Sequence, residues 1–327
     1  MENTSVAQVT SSLPTNEGKG EEIASRWGII YCPKQGVRRS QKRWERIKEL
    51  LEARGVAYDF VQSENPDSVG RLTKMLCKNG YGTLIIVGGD SALNRALNGL
   101  LSMGDEMRDQ VVLGVIPNGR GNDFASFWGV TEEDDEKTVD DLLRRRVRKV
   151  DVGFVKDGDT TRYFLNCINV GLVANVMKLK YKTRRIFGLS TLSYFASMIL
   201  LLFQRLETRM SFKINEEQIE RRLMSVCVGN CRGYGQTPNA VPYNGMLDVS
   251  TISHPGVTQL FEGMWMLFTG GFLGHKNVRA YRTPRRIRFA DVRNAAISTD
   301  GMVVNDIHAP FEVGIMPEHV QFIIPSH

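Results

Sequence analysis

The chain has 327 residues, 42 Lys and Arg against 36 Asp and Glu, a net charge of +6 and a hydrophobic content of 42%. This excludes a disordered or fibrous chain, leaves room for two cored domains, and points to an anionic partner: nucleotide, nucleic acid or an acidic membrane face. The five cysteines are odd in number, lie mostly in apolar runs and read as reduced core residues; Cys227 and Cys231 lack the second pair of a zinc site.

Residues 1–25 are polar and without apolar periodicity, which predicts a disordered tail. With no secretory signal, the cytoplasm is the expected compartment. Order is expected from Trp27, with a first strand through Tyr31 and a loop from Cys32 to Gly36. A helix follows from about Ser40, with Trp44, Ile47 and Leu51 on one face, then a strand from Val56 to Val61. Val69, Leu72, Met75 and Leu76 mark a second amphipathic helix.

The stretch from Thr83 to Leu101 joins a buried β-run, the turn Gly88-Gly89-Asp90 and a helix without a spacer. Bare backbone N–H groups at a helix N-terminus suit a phosphate, and Asp90 suits an accompanying cation. The plain alternative is a tight turn with a capping Asp. The design repeats: Val111 to Ile116 is a strand, ending in Pro117-Asn118-Gly119-Arg120-Gly121-Asn122-Asp123-Phe124-Ala125. Two such turns at one sheet edge define a crevice of the kind that binds nucleotide phosphates. Phe124 stands where a dinucleotide fingerprint needs its third glycine, and no Walker sequence occurs. Arg120 is a phosphate partner or a solvated loop arginine; Asn122 and Asp123 bind nucleotide or cation, or cap the next helix.

Glu132 to Asp141 is acidic and reads as a helix start; Arg144 to Lys149 is basic and reads as a solvated face. From Val150 the pattern shifts to short strands: Val150 to Phe154, Tyr163 to Val170, Arg209 to Ile214, Leu223 to Val228, Leu247 to Ile252 and Arg286 to Phe289. This predicts a largely antiparallel second domain with its boundary near Lys149. Two helical insertions interrupt it. One carries Lys178, Lys180, Lys182, Arg184 and Arg185 ahead of the apolar run Leu189 to Phe203; the other spans Val257 to Leu273. The apolar run falls short of the roughly 20 residues that span a bilayer. A basic lead-in to an apolar helix suits docking on an anionic membrane; a core helix is the alternative.

Together these residues resemble the diacylglycerol kinase catalytic family, the YegS and DgkB type of soluble bacterial lipid kinase, and the related sphingoid-base kinases. Gly88-Gly89-Asp90 with Asn94 and Asn98-Gly99-Leu100 is similar to that family's GGDGT-x-N-x-x-x-NGL, and Pro117 to Ala125 to its P-x-G-T-G-N-D-F-A. Asp151, Asn166, Gly171, Gly229-Asn230, Tyr234-Gly235, Asn244 to Val249, Gly274-His275 and Asp300-Gly301 follow in the family's order.

The resemblance implies an α/β domain with a parallel sheet, like those of NAD kinases and phosphofructokinases, at 26–149 plus about 311–327. A β-sandwich-like lipid-substrate domain with helical insertions would fill 150–310. It implies transfer of the γ-phosphoryl group of ATP to a lipid hydroxyl with Mg2+. Diacylglycerol is the default acceptor; a sphingoid base or another long-chain alcohol is the alternative. Pro33, Lys34, Gly36, Ser63, Gly88, Gly89, Asp90, Ser91, Asn94, Asn118, Gly119, Arg120, Gly121, Asn122 and Asp123 are the expected nucleotide residues. Asp300 is the expected proton acceptor, Asp90 its helper or a magnesium ligand, and Asp248 a further metal ligand. A lipid, an anionic membrane surface and a second copy of the chain are the partners considered; nucleic acid is not.

The chain departs from the family pattern at Ser91, Ala92, Arg120, Asn244 and Met302, and at Cys32 in the first loop. Asn244 stands where the family has an Asp at a structural magnesium site, and Met302 where it has the Glu of D-G-E. Met302 and the altered GGDGT keep a nucleotide-binding pseudokinase open. NAD kinase shares such loops, but Asn122-Asp123-Phe124 and the two apolar insertions argue against it.

Overall fold

The computed structural model describes residues 25–33, 38–119, 121–172, 174–175, 207–232, 236–253, 272–274 and 276–326. The expected tail, the basic lead-in and both apolar insertions lie almost wholly outside the described residues. Among the described residues no helix is long and apolar enough to cross a membrane.

The first half alternates strand and helix: β1 Trp27–Tyr31, α1 Arg38–Ala53, β2 Tyr58–Gln62, α2 Ser68–Lys78, β3 Thr83–Gly88, α3 Asp90–Leu101, α4 Asp105–Gln110 and β4 Val112–Pro117. β1, β3 and β4 are buried at every residue, as parallel strands covered on both faces must be. They pair in parallel in the order β2-β1-β3-β4. Val69, Leu72 and Leu76 of α2 and Leu93, Leu97 and Leu100 of α3 bury one helical stripe each against one face. Trp44 of α1 stacks on Tyr31 at 4.8 Å on the other.

Two further helices, α5 Asp123–Phe127 and α6 Asp135–Arg144, lead to β5 Val147–Asp157 and β6 Thr160–Phe164. Then come β7 Cys167–Gly171, β8 Thr208–Ile214, β9 Glu217–Leu223, β10 Ser225–Gly229, β11 Leu247–Ile252 and β12 Val278–Thr283. β13 Ile287–Asp291, β14 Ile297–Thr299, β15 Met302–Val304 and β16 Phe311–Ile323 end the chain. β12, β11, β10, β7, β14 and β15 form a second sheet, antiparallel throughout. It packs on β8, β13 and the first half of β16 around Phe212, Phe289 and Phe311, which stack at 5.0 and 4.7 Å.

Two expectations change. The run from Tyr163 to Val170 is not one strand: β6 ends at Phe164 in the large sheet, and β7 starts at Cys167 in the second. Leu165 and Asn166 carry the chain across, and their freed N–H groups find a side-chain acceptor described below. The expected boundary near Lys149 falls inside β5, which pairs antiparallel along β16 from Val147↔Ile323 to Lys156↔Glu312. β16 also pairs in parallel with β4 and antiparallel with β13, so one sheet runs through both halves.

Candidate active site

The two glycine turns meet at the carboxyl edge of β3 and β4. A Cβ on Gly89 would lie 2.8 Å from the Gly119 Cα, and one on Gly119 would lie 2.5 Å from the Gly89 Cα. Only glycine allows backbones this close, so the turns form one surface. Asn118 N–H donates to the Gly88 carbonyl at 2.8 Å, which closes the pair.

Asp90, first residue of α3, reaches across to the second turn. Its Oδ2 accepts from Asp123 N–H (3.0 Å), and its Oδ1 from Phe124 N–H (3.1 Å) and Asn166 Nδ2 (3.0 Å). Asp90 thereby caps α5, although it lies 33 residues upstream of it. A carboxylate offers about four lone-pair sites; among the described residues three are filled, and the open one is on Oδ2. A Cβ built on Gly121 would lie 3.2 Å from that oxygen and 3.7 Å from Asp123 Oδ2, so both carboxylates reach one spot.

Asp300 lies beneath, only 2% exposed, at φ +45 in the turn between β14 and β15. Its Oδ1 accepts from the backbone N–H groups of Asn166 (2.9 Å) and Cys167 (3.0 Å). Its Oδ2 accepts from Leu165 N–H (2.9 Å) and Asn94 Nδ2 (2.8 Å). Burial pushes this carboxyl up to about 6, against the pull of those donors, and the charge on Asp90 adds to the rise. As the expected proton acceptor Asp300 is corrected: four N–H groups already occupy its two carboxylate oxygens. It ties the β6–β7 crossing to α3.

Asn166 joins the two carboxylates, with its backbone N–H on Asp300 and its side-chain Nδ2 on Asp90. Its Oδ1 is buried without a hydrogen-bond partner among the described residues. Asn166 was expected only as a family position, not as a site residue. The available signal was an amide inside the apolar run Tyr163 to Val170.

Other expected residues separate into groups. Asn94 is corrected from a nucleotide contact to a clamp: both its Nδ2 hydrogens are used, on Asp300 and on the Tyr163 carbonyl (2.9 Å), and its Oδ1 accepts from Asn98 (3.0 Å). Asn98 pairs with Tyr163 in both directions at 3.0 Å, as another strand would. Asn118 is likewise occupied, its Nδ2 donating to Ser40 Oγ at 3.1 Å. Asn122 takes φ +55 and donates to Glu132 at 3.0 Å. Ser63 is buried at the end of β2 with its N–H on the Tyr31 carbonyl, beside Cys32, and Pro33 follows in the chain. Burial raises the Cys32 thiol, and a hydrogen bond with Ser63 opposes this. Ser91 sits in the first turn of α3, half-buried. Lys34, Gly36 and Arg120 lie outside the described residues.

Asp248 is the clearest correction. Its carboxylate meets Arg282 of the neighbouring strand, Nε at 2.5 Å and Nη2 at 2.9 Å, and Arg282 also donates to the Asn239 carbonyl at 3.2 Å. Asn244 accepts from Met246 N–H at 2.9 Å. A guanidinium stands where a cation was expected, so Asp248 does not fit a metal. At the turns the chemistry does fit magnesium: Asp123 Oδ2 is a hard oxygen beside the open site of Asp90, and magnesium commonly takes one or two carboxylates plus substrate phosphates.

Residues 26–155 match the family model of the diacylglycerol kinase catalytic domain, and residues 166–324 that of the YegS C-terminal NAD kinase beta sandwich-like domain. The chain belongs to the diacylglycerol kinase catalytic-domain family. It is 21% identical over 305 residues to the diacylglycerol kinase of Bacillus subtilis, covering 91% of this chain and 96% of that protein. It is 26% identical over 152 residues to sphingosine kinase B of Dictyostelium discoideum, covering 46% of this chain and 19% of that protein. A crystal structure of a diacylglycerol kinase from Bacillus anthracis shares the fold, with a TM-score of 0.65 at 17% identity over 92% of this chain and 97% of that one. As a member of this lipid kinase family the chain is a kinase, with the two-domain architecture that the sequence predicts.

Proposed function

We propose that the chain transfers the γ-phosphoryl group of ATP to the hydroxyl of a membrane lipid, with diacylglycerol as acceptor and phosphatidic acid as product. The observation that carries this is the junction of Asp90, Asn166 and Asp300, where both glycine turns meet the second domain. The backbone N–H groups of the turns bind the phosphates. Mg2+ would be held by Asp123 with phosphate oxygens and would neutralise their charge. Phosphoryl transfer needs mainly positioning and charge stabilisation. The acceptor hydroxyl meets Asp90 Oδ2, whose open lone pair takes its proton as the new P–O bond forms. Asn166 and Asp300 act through Asp90, by fixing its carboxylate.

The chain works in the cytoplasm at the inner face of an anionic membrane, where its net charge of +6 favours contact. Purified protein with γ-labelled ATP and Mg2+ is expected to label diacylglycerol in a fractionated lipid extract. Label on a sphingoid base would change the acceptor; no labelled lipid at all would contradict the reading. A second reading, nucleotide binding without turnover, is favoured by one observation: Met302, at the family's Glu position, turns its Sδ to the Arg95 guanidinium. It expects the same absence of label in wild type and Asp90→Asn, with ATP bound by both.

A further inference from the structure

A groove of about 1110 Å3 runs between α2, α3 and the β14–β15 hairpin, and the transfer chemistry above does not use it. None of the glycine-turn residues lines it; of the expected nucleotide residues only Asn94 does. Its floor is bare backbone, because α2 and α3 cross at Gly70 and Gly99, where a Cβ on Gly99 would lie 2.7 Å from the Gly70 carbonyl oxygen. One wall is the exposed face of α2, where Arg71, Lys74 and Lys78 follow at helical spacing. Arg95 and Arg162 stand on the other side.

The acids do not balance this charge. Asp67 pairs with Arg95 at 2.6 Å, Asp306 with Arg162, and among the described residues Arg71 has only the exposed Glu64, at 3.8 Å. Lys74 and Lys78, one turn apart, have no ion pair among the described residues. Met75 lies between them, 37% exposed, and Val303 and Val304 line the groove from the hairpin. Two unmatched ammonium groups beside apolar contacts, in a groove of ligand size, fit a phosphate group attached to an apolar chain.

We propose that this groove binds a lipid bearing a terminal phosphate, with the phosphate on Lys74 and Lys78 and the chain against Met75, Val303 and Val304. The assignment goes beyond the proposed transfer reaction and rests on the groove alone. It has a consequence for that reaction. Asn94, Thr299 and Met302 all line the groove, and Asn94 donates to Asp300, which lies between the other two in sequence. An occupant therefore presses on the residues that hold Asp300, so a phosphorylated lipid would alter the transfer rate without entering the glycine turns.

The test is calorimetric titration of the full chain with dihexanoyl phosphatidic acid, in parallel with inorganic phosphate, with and without saturating ATP. The variant is Lys74→Glu with Lys78→Glu; the control is Lys213→Glu on β8. Circular dichroism melts confirm that both fold. Wild type and control are expected to bind the lipid phosphate, and the double variant to bind it about tenfold or more weakly. ATP is expected not to displace it. Equal affinity in the double variant overturns the site, and complete displacement by ATP places the anion in the glycine turns instead. Inorganic phosphate binding as tightly as the lipid overturns the assignment to a lipid. A chain that labels no lipid with ATP would leave all these results standing, so the two proposals fail separately.

Discussion

Asp300 and Asp248 are both carboxylates of the second domain, and the chain treats them in opposite ways. Asp248 meets a guanidinium, which cancels its charge on the spot. Asp300 meets three backbone N–H groups and one amide, all neutral. Through Asn166 it leads to Asp90, whose partners among the described residues are also neutral donors. Among the described residues, negative charge is thus left without a cationic partner at the junction of the two turns, and cancelled where a loop has only to be fastened. The motifs alone do not show this contrast, because both residues lie in family motifs.

The largest effect is expected at the junction. Asp90→Asn is expected to lower lipid phosphorylation by about 10²–10⁴-fold with the fold retained, read from initial rates and a thermal melt. An activity loss that only tracked unfolding would remove the distinction between Asp90 and Asp300. Asp300→Ala leaves the N–H groups of Leu165, Asn166 and Cys167 without their acceptor, at a cost of about 3–5 kcal/mol in urea unfolding.

The pH dependence sharpens the comparison. The Asp300 carboxyl rises from its ordinary 3.8 to about 6 on folding, so the folded chain binds its proton more tightly than the unfolded chain does. Stability from this group is full below about 3.8 and is lost as pH rises through about 6. Activity runs the other way, because four N–H donors need the ionised acceptor, so the rate should climb through about 6. Urea midpoints and initial rates across that window should move in opposite directions. The smallest effect belongs to Asp248. Its partner Arg282 has a side chain 47% exposed, so Arg282→Ala should cost about 0.5–1 kcal/mol, and EDTA should leave the wild-type melt unchanged.

Much of the first half was legible because strand, glycine turn and helix follow one another in sequence. Gly88-Gly89-Asp90 and the repeat at Pro117 gave the turns and their shared edge. The amides are hard to read because local sequence does not show where a side chain's hydrogens go: Asn94 and Asn118 sit in the two glycine-turn motifs, yet spend them on Asp300 and Ser40. The break at Leu165 was hidden because the residues on both sides are apolar, and its cause, Asp300, lies 135 residues away. β14 and β15, three residues each, are too short to show a period. β16 serves both halves of the large sheet through non-local pairings that no local pattern announces.

The most direct test of the central claim follows γ-labelled ATP with Mg2+ and diacylglycerol in wild type, Asp90→Asn and Asn166→Ala. The account predicts labelled phosphatidic acid from wild type, near-complete loss in Asp90→Asn, and a reduced kcat at nearly unchanged KM for ATP in Asn166→Ala. Full activity in Asp90→Asn would contradict it, because the open lone pair at the two turns would then have no part in the transfer.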